Sequence, residues 1–254
     1  MVSFKFQRIL RSVGHRFHQI NIRSRKYLPF FSRYQTPISD NFGFDRGKPI
    51  GRYYIEKFLD NYKGDIQGNV LEVQESVYTH KFGQDRVIRS DVLDIMVENP
   101  NATIYGNLET GEGIPINFFD CIIITHVYQY IYDVKAAITN SYNALKPGGI
   151  LLAVLPGLLQ IARSKQISIY VDNEYIDRFK DYWRFTDASA SYLFGEIFQY
   201  ENVIVETYGN VLSASAYLYG LAAHELKKNE LDYHDPDYQV LIVIRAVKPI
   251  NSIE

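Results

Sequence analysis

Two nearly continuous apolar runs, Cys121-Ile122-Ile123-Ile124 and Ile150-Leu151-Leu152-Ala153-Val154, constrain the fold more than any other feature of the chain. A strand that is apolar on both faces has to be covered on both faces, as happens inside a parallel sheet flanked by helices. Between the runs, Val134 to Leu145 carries helical spacing, so the segment reads strand, helix, strand. Asn69 to Val73, Arg86 to Ser90, Ala102 to Tyr105, Phe119 to Thr125 and Ile150 to Leu155 read as strands, and Ala188 to Phe198 as a helix. The C-terminal part adds a strand over Val203 to Tyr208, a helix over Val211 to Leu226 and a strand over Tyr238 to Val247. The alternation predicts a doubly wound α/β fold with a mostly parallel sheet and an antiparallel C-terminal strand.

A chain of 254 residues has room for one well-cored domain with an appendage, and the charge distribution shows where the appendage lies. Residues 1–39 hold eight bases and no acid, although the whole chain has 27 Lys and Arg against 29 Asp and Glu. The body is therefore acidic, which argues against nucleic-acid binding, because a duplex-binding face needs several cations on the folded surface. Within the arm, Phe6, Ile9, Leu10, Val13, Phe17 and Ile20 recur at spacings of three and four, the pattern of a basic amphipathic helix. Three readings stay open: peripheral docking on an anionic membrane surface through residues 1–33, a solvated or self-packed arm, and a mitochondrial transit peptide. No apolar run is long enough for a membrane span, so a cytoplasmic location, with peripheral contact at the inner membrane surface as an option, is expected. The single Cys excludes a disulfide framework, and no His, Cys or acid spacing resembles a dedicated metal site. Tyr34 to Gly51 reads as loop, so residues 40–254 are expected to form the main domain: an N-terminal lid (40–67), a core (68–155) and acceptor-side and C-terminal elements (156–254).

Ligands of an open α/β sheet bind beyond the carboxyl ends of the strands. The residues there are Glu72, Gln74, Glu75, Ser76, Val77 and Tyr78 after the first predicted strand, Asp91 and then Asp94 after the second, Gly106 and Asn107 after the third, and Thr125, His126 and Tyr128 to Tyr130 after the fourth. This rim is rich in acids and aromatics.

Val70-Leu71-Glu72-Val73, Phe119-Asp120-Cys121-Ile122-Ile123 and Leu145-Lys146-Pro147-Gly148-Gly149-Ile150-Leu151-Leu152 together resemble the class I S-adenosylmethionine-dependent methyltransferases. The resemblance spans about residues 68 to 155. Phe44-Asp45-Arg46-Gly47, Arg52-Tyr53-Tyr54-Ile55-Glu56 and Tyr78-Thr79-His80-Lys81-Phe82-Gly83 are similar to methyltransferases found alongside bacterial glycosyltransferases. The resemblance implies a Rossmann-like methyltransferase fold, S-adenosyl-L-methionine as cofactor and a small-molecule or glycan acceptor, methylated at oxygen. It also implies cofactor contacts from Glu72, Gln74, Tyr78, Asp91, Asn107, Leu108 and Thr125, with Asp91 on the ribose hydroxyls, Asp94 as its substitute and Asn107 near the adenine. Tyr78 or Tyr128 would face the sulfonium.

His126 is the expected general base, since an imidazole at the end of the fourth strand has an ordinary pKa near working pH. Its alternative is to cap the following turn. Arg46, Arg52, Tyr182, Trp183, Arg184 and His234 are the expected acceptor-binding residues; the competing readings are a core plug for Trp183, an ion pair for Arg184, surface pairing for Arg46 and Arg52, and a solvated turn for His234. One departure from the family pattern stands out: Gln74 follows the first acid where relatives carry a glycine-rich turn, and no Gly occurs before Gly83. That departure sustains a second hypothesis, a non-catalytic binding or scaffold protein that keeps the fold and docks at a membrane. A nicotinamide-dependent oxidoreductase is disfavoured by the lack of G-x-G-x-x-G.

Overall fold

The computed structural model describes residues 35–162, 169–171, 174–176 and 180–250. The basic arm expected over residues 1–33 lies outside the described residues. One compact unit spans Ile38–Glu254, and its described elements are, in order, α1 (Ile50–Asn61), β1 (Gly68–Val73), β2 (Val87–Asp94), β3 (Ile104–Tyr105), β4 (Phe119–Thr125), α2 (Val134–Ala144), β5 (Leu145–Pro156), a two-stranded ribbon β6 (Ile169–Val171) and β7 (Glu174–Ile176), α3 (Asp187–Phe198), β8 (Val203–Tyr208), α4 (Val211–Leu218), α5 (Lys228–Asp232) and β9 (Leu241–Val247).

The main sheet has the order β3-β2-β1-β4-β5-β9-β8. Strands β1 to β5 run parallel, whereas β9 is antiparallel to both β5 and β8. The expected fold class is what the structure shows. The two apolar runs lie at its centre: Cys121, Ile122, Ile123 and Ile124 on β4 and Leu151 to Leu155 on β5 are all buried. Helices α2 and α3 cover one face, with Phe194 and Phe198 fully buried and the Phe194 ring edge-on to Tyr128 at 5.9 Å. Asp133 caps α2 by accepting from the Ala136 amide, and Thr186 caps α3 through Ser189.

Several expected boundaries shift: β5 begins at Leu145 instead of Ile150, β3 at Ile104 instead of Ala102 and β9 at Leu241 instead of Tyr238. Strand β2 was expected to stop at Ser90 but continues to Asp94, because Val92 and Leu93 add two more buried residues to the ladder with β1. The helix expected over Val211 to Leu226 ends at Leu218, where Tyr219 and then Gly220 at φ +74° turn the chain.

That turn receives the segment before α1. Ile38 and Ser39 amides donate to the Tyr219 carbonyl, the Ala223 amide donates to the Lys48 carbonyl at 2.7 Å, and Pro49 bridges Ala222. Gly220 faces Ser39 so closely that a Cβ there would lie 2.2 Å from the Ser39 carbonyl oxygen. Residues 38–49 are thereby stapled over the carboxyl end of the sheet.

Gly220→Ala combines left-handed backbone with a steric overlap against main chain, and is expected to lower the unfolding free energy by about 2 kcal/mol. Urea denaturation with a fluorescence readout checks it; an unchanged midpoint would mean that the turn is not strained by a side chain.

Candidate functional site

Helix crossovers leave β1 toward one side of the sheet and β4 toward the other, so a crevice opens between their carboxyl ends. A cavity of about 810 Å³ fills it, within the size range of sites for small organic ligands. Its walls come from the stapled segment (Asp40, Asn41, Phe42, Phe44), from α1 (Arg52), from the end of β1 (Glu72 to Glu75, and Tyr78), from the end of β4 (Thr125, His126, Gln129, Tyr130), from the segment after β5 (Leu159 to Ala162), and from Asp181 and Tyr217.

The end of β1 is built around a buried carboxylate. Glu72 accepts from the Thr79 amide at 2.7 Å, the Thr79 hydroxyl at 2.8 Å and the Tyr78 amide at 3.2 Å, which folds residues 78–83 into a helical turn above the strand. Burial pushes its pKa up, and the three hydrogen bonds work against that shift. Gln74 then takes φ +72°, the left-handed conformation in which glycine is the least strained residue. Its amide continues the ladder by donating to Leu93, and its carbonyl accepts from the Asn99 side chain at 2.9 Å. The chain thus makes the sharp turn expected of a glycine with a glutamine.

The end of β4 repeats the device. The His126 amide donates to the Val154 carbonyl, and His126 turns away at φ +55°; the Gln129 side chain caps the turn by donating to the His126 carbonyl at 2.9 Å. The His126 ring is largely desolvated, and burial, helped by the nearby Arg184 and opposed by Asp181, lowers its pKa to about 4. It is neutral at physiological pH.

Six of the expected cofactor, acceptor and catalytic residues meet in this cavity, Glu72, Gln74, Tyr78, Thr125, His126 and Arg52, together with Glu75 and Tyr130 from the strand-end rim. The others sit elsewhere. Asp91 is three residues from the end of β2 instead of at it, buried against the Arg89 guanidinium (2.6 and 3.1 Å) and the Thr103 hydroxyl (2.8 Å), and the acid at the end of the strand is Asp94. Asp94 accepts from the Met96 amide at 2.9 Å and the Asn99 amide group at 2.7 Å. Asn107 spends its side-chain oxygen on the Glu109 amide inside its own loop, and Leu108 is in the hydrophobic core. Tyr128 is fully buried with its hydroxyl on Ser141, so it does not face a ligand.

Among the expected acceptor residues, Arg46 is consumed by a bidentate pair with Glu225 that is almost fully enclosed. Arg184 pairs with Asp181 through two nitrogens and also reaches the Gln160 carbonyl, bracing the segment after β5. Trp183 is not a core plug; it is partly exposed and donates to the Ile131 carbonyl, beside Tyr182, which packs edge-on to Tyr132. His234 contacts the Thr207 hydroxyl at 2.7 Å beyond the cavity walls. Sequence reasoning reached Gln129 only as part of the run Tyr128 to Tyr130, and missed Asp181 and Tyr217 as wall residues. Gln129 was legible from its place after β4, whereas Tyr217 lies on a helix with nothing local to mark it.

Residues 68–153, about a third of the chain, match the family model of a methyltransferase domain. No curated protein sequence matches. Among solved structures, a SAM-dependent methyltransferase from Thermotoga maritima, described as a possible histamine N-methyltransferase, superposes with a TM-score of 0.50 at 16% identity, covering 78% of this chain and 91% of that one. A SAM-dependent methyltransferase from Archaeoglobus fulgidus gives 0.47 at 14% identity, covering 78% and 94%. The N-methyltransferase NodS from Bradyrhizobium japonicum gives 0.45 at 13% identity, covering 84% and 95%. Residues 68–153 thus match a methyltransferase-domain model, and the chain shares the fold of a SAM-dependent methyltransferase. Among the described residues no helix is long and apolar enough to cross a membrane.

Two outcomes follow from the strand ends. Gln74→Gly is expected to hold stability within about 1 kcal/mol, while the β-branched Gln74→Val loses about 1–2 kcal/mol, measured by urea denaturation. Because His126 binds its proton less readily in the folded protein than in the unfolded chain, stability is expected to fall as pH drops from about 6.5 to about 4. The loss is on the order of 2–3 kcal/mol and is reduced in His126→Gln; equal pH profiles for the two proteins would show that His126 titrates normally.

Proposed function

We propose that the chain is an S-adenosylmethionine-dependent methyltransferase acting on a small molecule. The observation that carries this reading is the cavity at the β1 and β4 carboxyl ends, bounded by Glu72, Glu75 and a left-handed turn at Gln74, beside which β2 ends at Asp94. The donor set fits the cofactor. Asp94 keeps lone pairs for ribose hydroxyls beyond the two bonds it already accepts, and Glu75 offers a carboxylate to the cofactor's ammonium. Gln74 and Thr125 present backbone on either side of the crevice. When bound, the cofactor supplies an electrophilic methyl group on a sulfonium centre.

The remaining tasks fall to the protein's own side chains: excluding water, orienting the acceptor and taking one proton. The segment 38–49 roofs the cavity and provides the exclusion. A hydroxyl acceptor, whether on a sugar or a phenol, would hand its proton to His126, whose ring stays neutral and able to accept down to about pH 4. The aromatic walls Phe42, Phe44, Tyr78, Tyr130 and Tyr217 suit a ring-bearing acceptor.

Calorimetric titration with S-adenosylhomocysteine tests the reading. Micromolar binding by the intact chain that weakens about tenfold in Asp94→Ala is expected. No binding by the folded chain would overturn the assignment and return the fold to the scaffold role.

A further inference from the structure

Arg52 is the one Lys or Arg among the described residues lining the cavity. Its guanidinium lies over the Phe44 ring at 5.4 Å and the Tyr78 ring at 5.9 Å, and the side chain stays partly exposed. A guanidinium has five N–H donors arranged as a fork. None of them makes a hydrogen bond to a described residue, and the nearest acid, Glu75, stands off at 3.9 Å with half of its side chain in solvent. Such a loose exposed pair contributes little and leaves the fork available.

Two hydroxyl donors share this corner. Neither the Tyr78 nor the Tyr217 hydroxyl bonds a described residue, both rings are buried, and both feel the Arg52 charge. Tyr217 is held in place by Gly51, one residue before Arg52: a Cβ at Gly51 would sit 2.4 Å from its hydroxyl oxygen. Three elements that are far apart in sequence, α1, the turn after β1 and α4, therefore aim unfilled donors at one end of a cavity whose other charged walls are acidic.

We propose that Arg52, Tyr78 and Tyr217 form an oxyanion corner that holds a carboxylate or phosphate group within the cavity. This deepens the methyltransferase reading and rests on it for the ligand's role: the anion is carried by an acidic acceptor. An aromatic hydroxy acid matches the ring-lined walls and places its anion on Arg52 while its hydroxyl faces His126. A bidentate charge-assisted pair is the strongest contact the corner can make.

The test is calorimetry on the full chain with four probes: inorganic phosphate, benzoate, S-adenosylhomocysteine and 5′-methylthioadenosine, which keeps the nucleoside thioether but lacks the amino-acid part. The variants are Arg52→Gln, Arg52→Lys and Tyr217→Phe. Benzoate or phosphate binding that falls about tenfold in Arg52→Gln, falls less in Arg52→Lys and Tyr217→Phe, and leaves S-adenosylhomocysteine unaffected assigns the corner to an acidic acceptor. A similar fall for S-adenosylhomocysteine without one for 5′-methylthioadenosine puts the cofactor's own carboxylate on Arg52 and overturns the acceptor site. Identical affinities of wild type and Arg52→Gln for every probe, or no binding of any carboxylate or phosphate probe, overturn the corner. If benzoate binds through Arg52 and S-adenosylhomocysteine does not bind at all, the methyltransferase reading fails and the anion site stands.

Discussion

The candidate site is organised by the change of direction between β1 and β4. In a parallel sheet the crossover helices must pack on one face or the other, and where successive strands are added on opposite sides no connection covers the strand ends. The backbone has to leave each strand abruptly there. Gln74 and His126, both in left-handed conformations at the tips of neighbouring strands, are how this chain does so. Non-glycine residues in that region carry strain that the surrounding structure must hold in place. The hydrogen bonds that hold it are visible: Asn99 onto the Gln74 carbonyl, and Gln129 onto the His126 carbonyl.

The roof over the crevice depends on a different kind of contact. Residues 38–49 meet the turn after α4 through main-chain bonds and a close approach at Gly220, and the buried Arg46–Glu225 pair locks the two segments together. The pair's mutual hydrogen bonds and attraction hold the Glu225 carboxyl below its ordinary range against the opposing effect of burial. An enclosed pair of this sort is costly to break and contributes more to orientation than to net stability. It explains why Arg46, despite its place in the lid segment, is enclosed against Glu225 away from the cavity walls, while Arg52, in the first turn of α1, lines them.

The fold was legible because apolar periodicity is local. Phe119–Thr125 and Val203–Tyr208 appear at the expected residues, since both strands are bounded by polar or turn-forming neighbours. The candidate site was legible only in part. Strand β2 contains Arg89, Ser90 and Asp91, polar residues that read as a strand end; the structure shows the strand passing through them, because Asp91 satisfies its charge with Arg89 and Thr103. A polar residue inside a strand and one after it look alike until a partner 12 residues away is known. Tyr128 and Tyr130 were likewise indistinguishable by sequence, yet the first is core and the second lines the cavity.

The sequence by itself determined the sheet, its parallel centre and the set of strand ends among which a site must lie, because those depend on which faces are apolar and on where helices and turns interrupt them. Only the tertiary structure decided which polar residues reach the cavity. Asp91 is held inside β2 by Arg89 and Thr103, Arg46 and Arg184 are drawn into ion pairs, and Tyr217 arrives from more than 160 residues beyond Arg52 because α4 packs beside α1. A side chain's partner is a property of three-dimensional proximity, and an unpartnered donor such as Arg52 is recognised only once every neighbour has been placed.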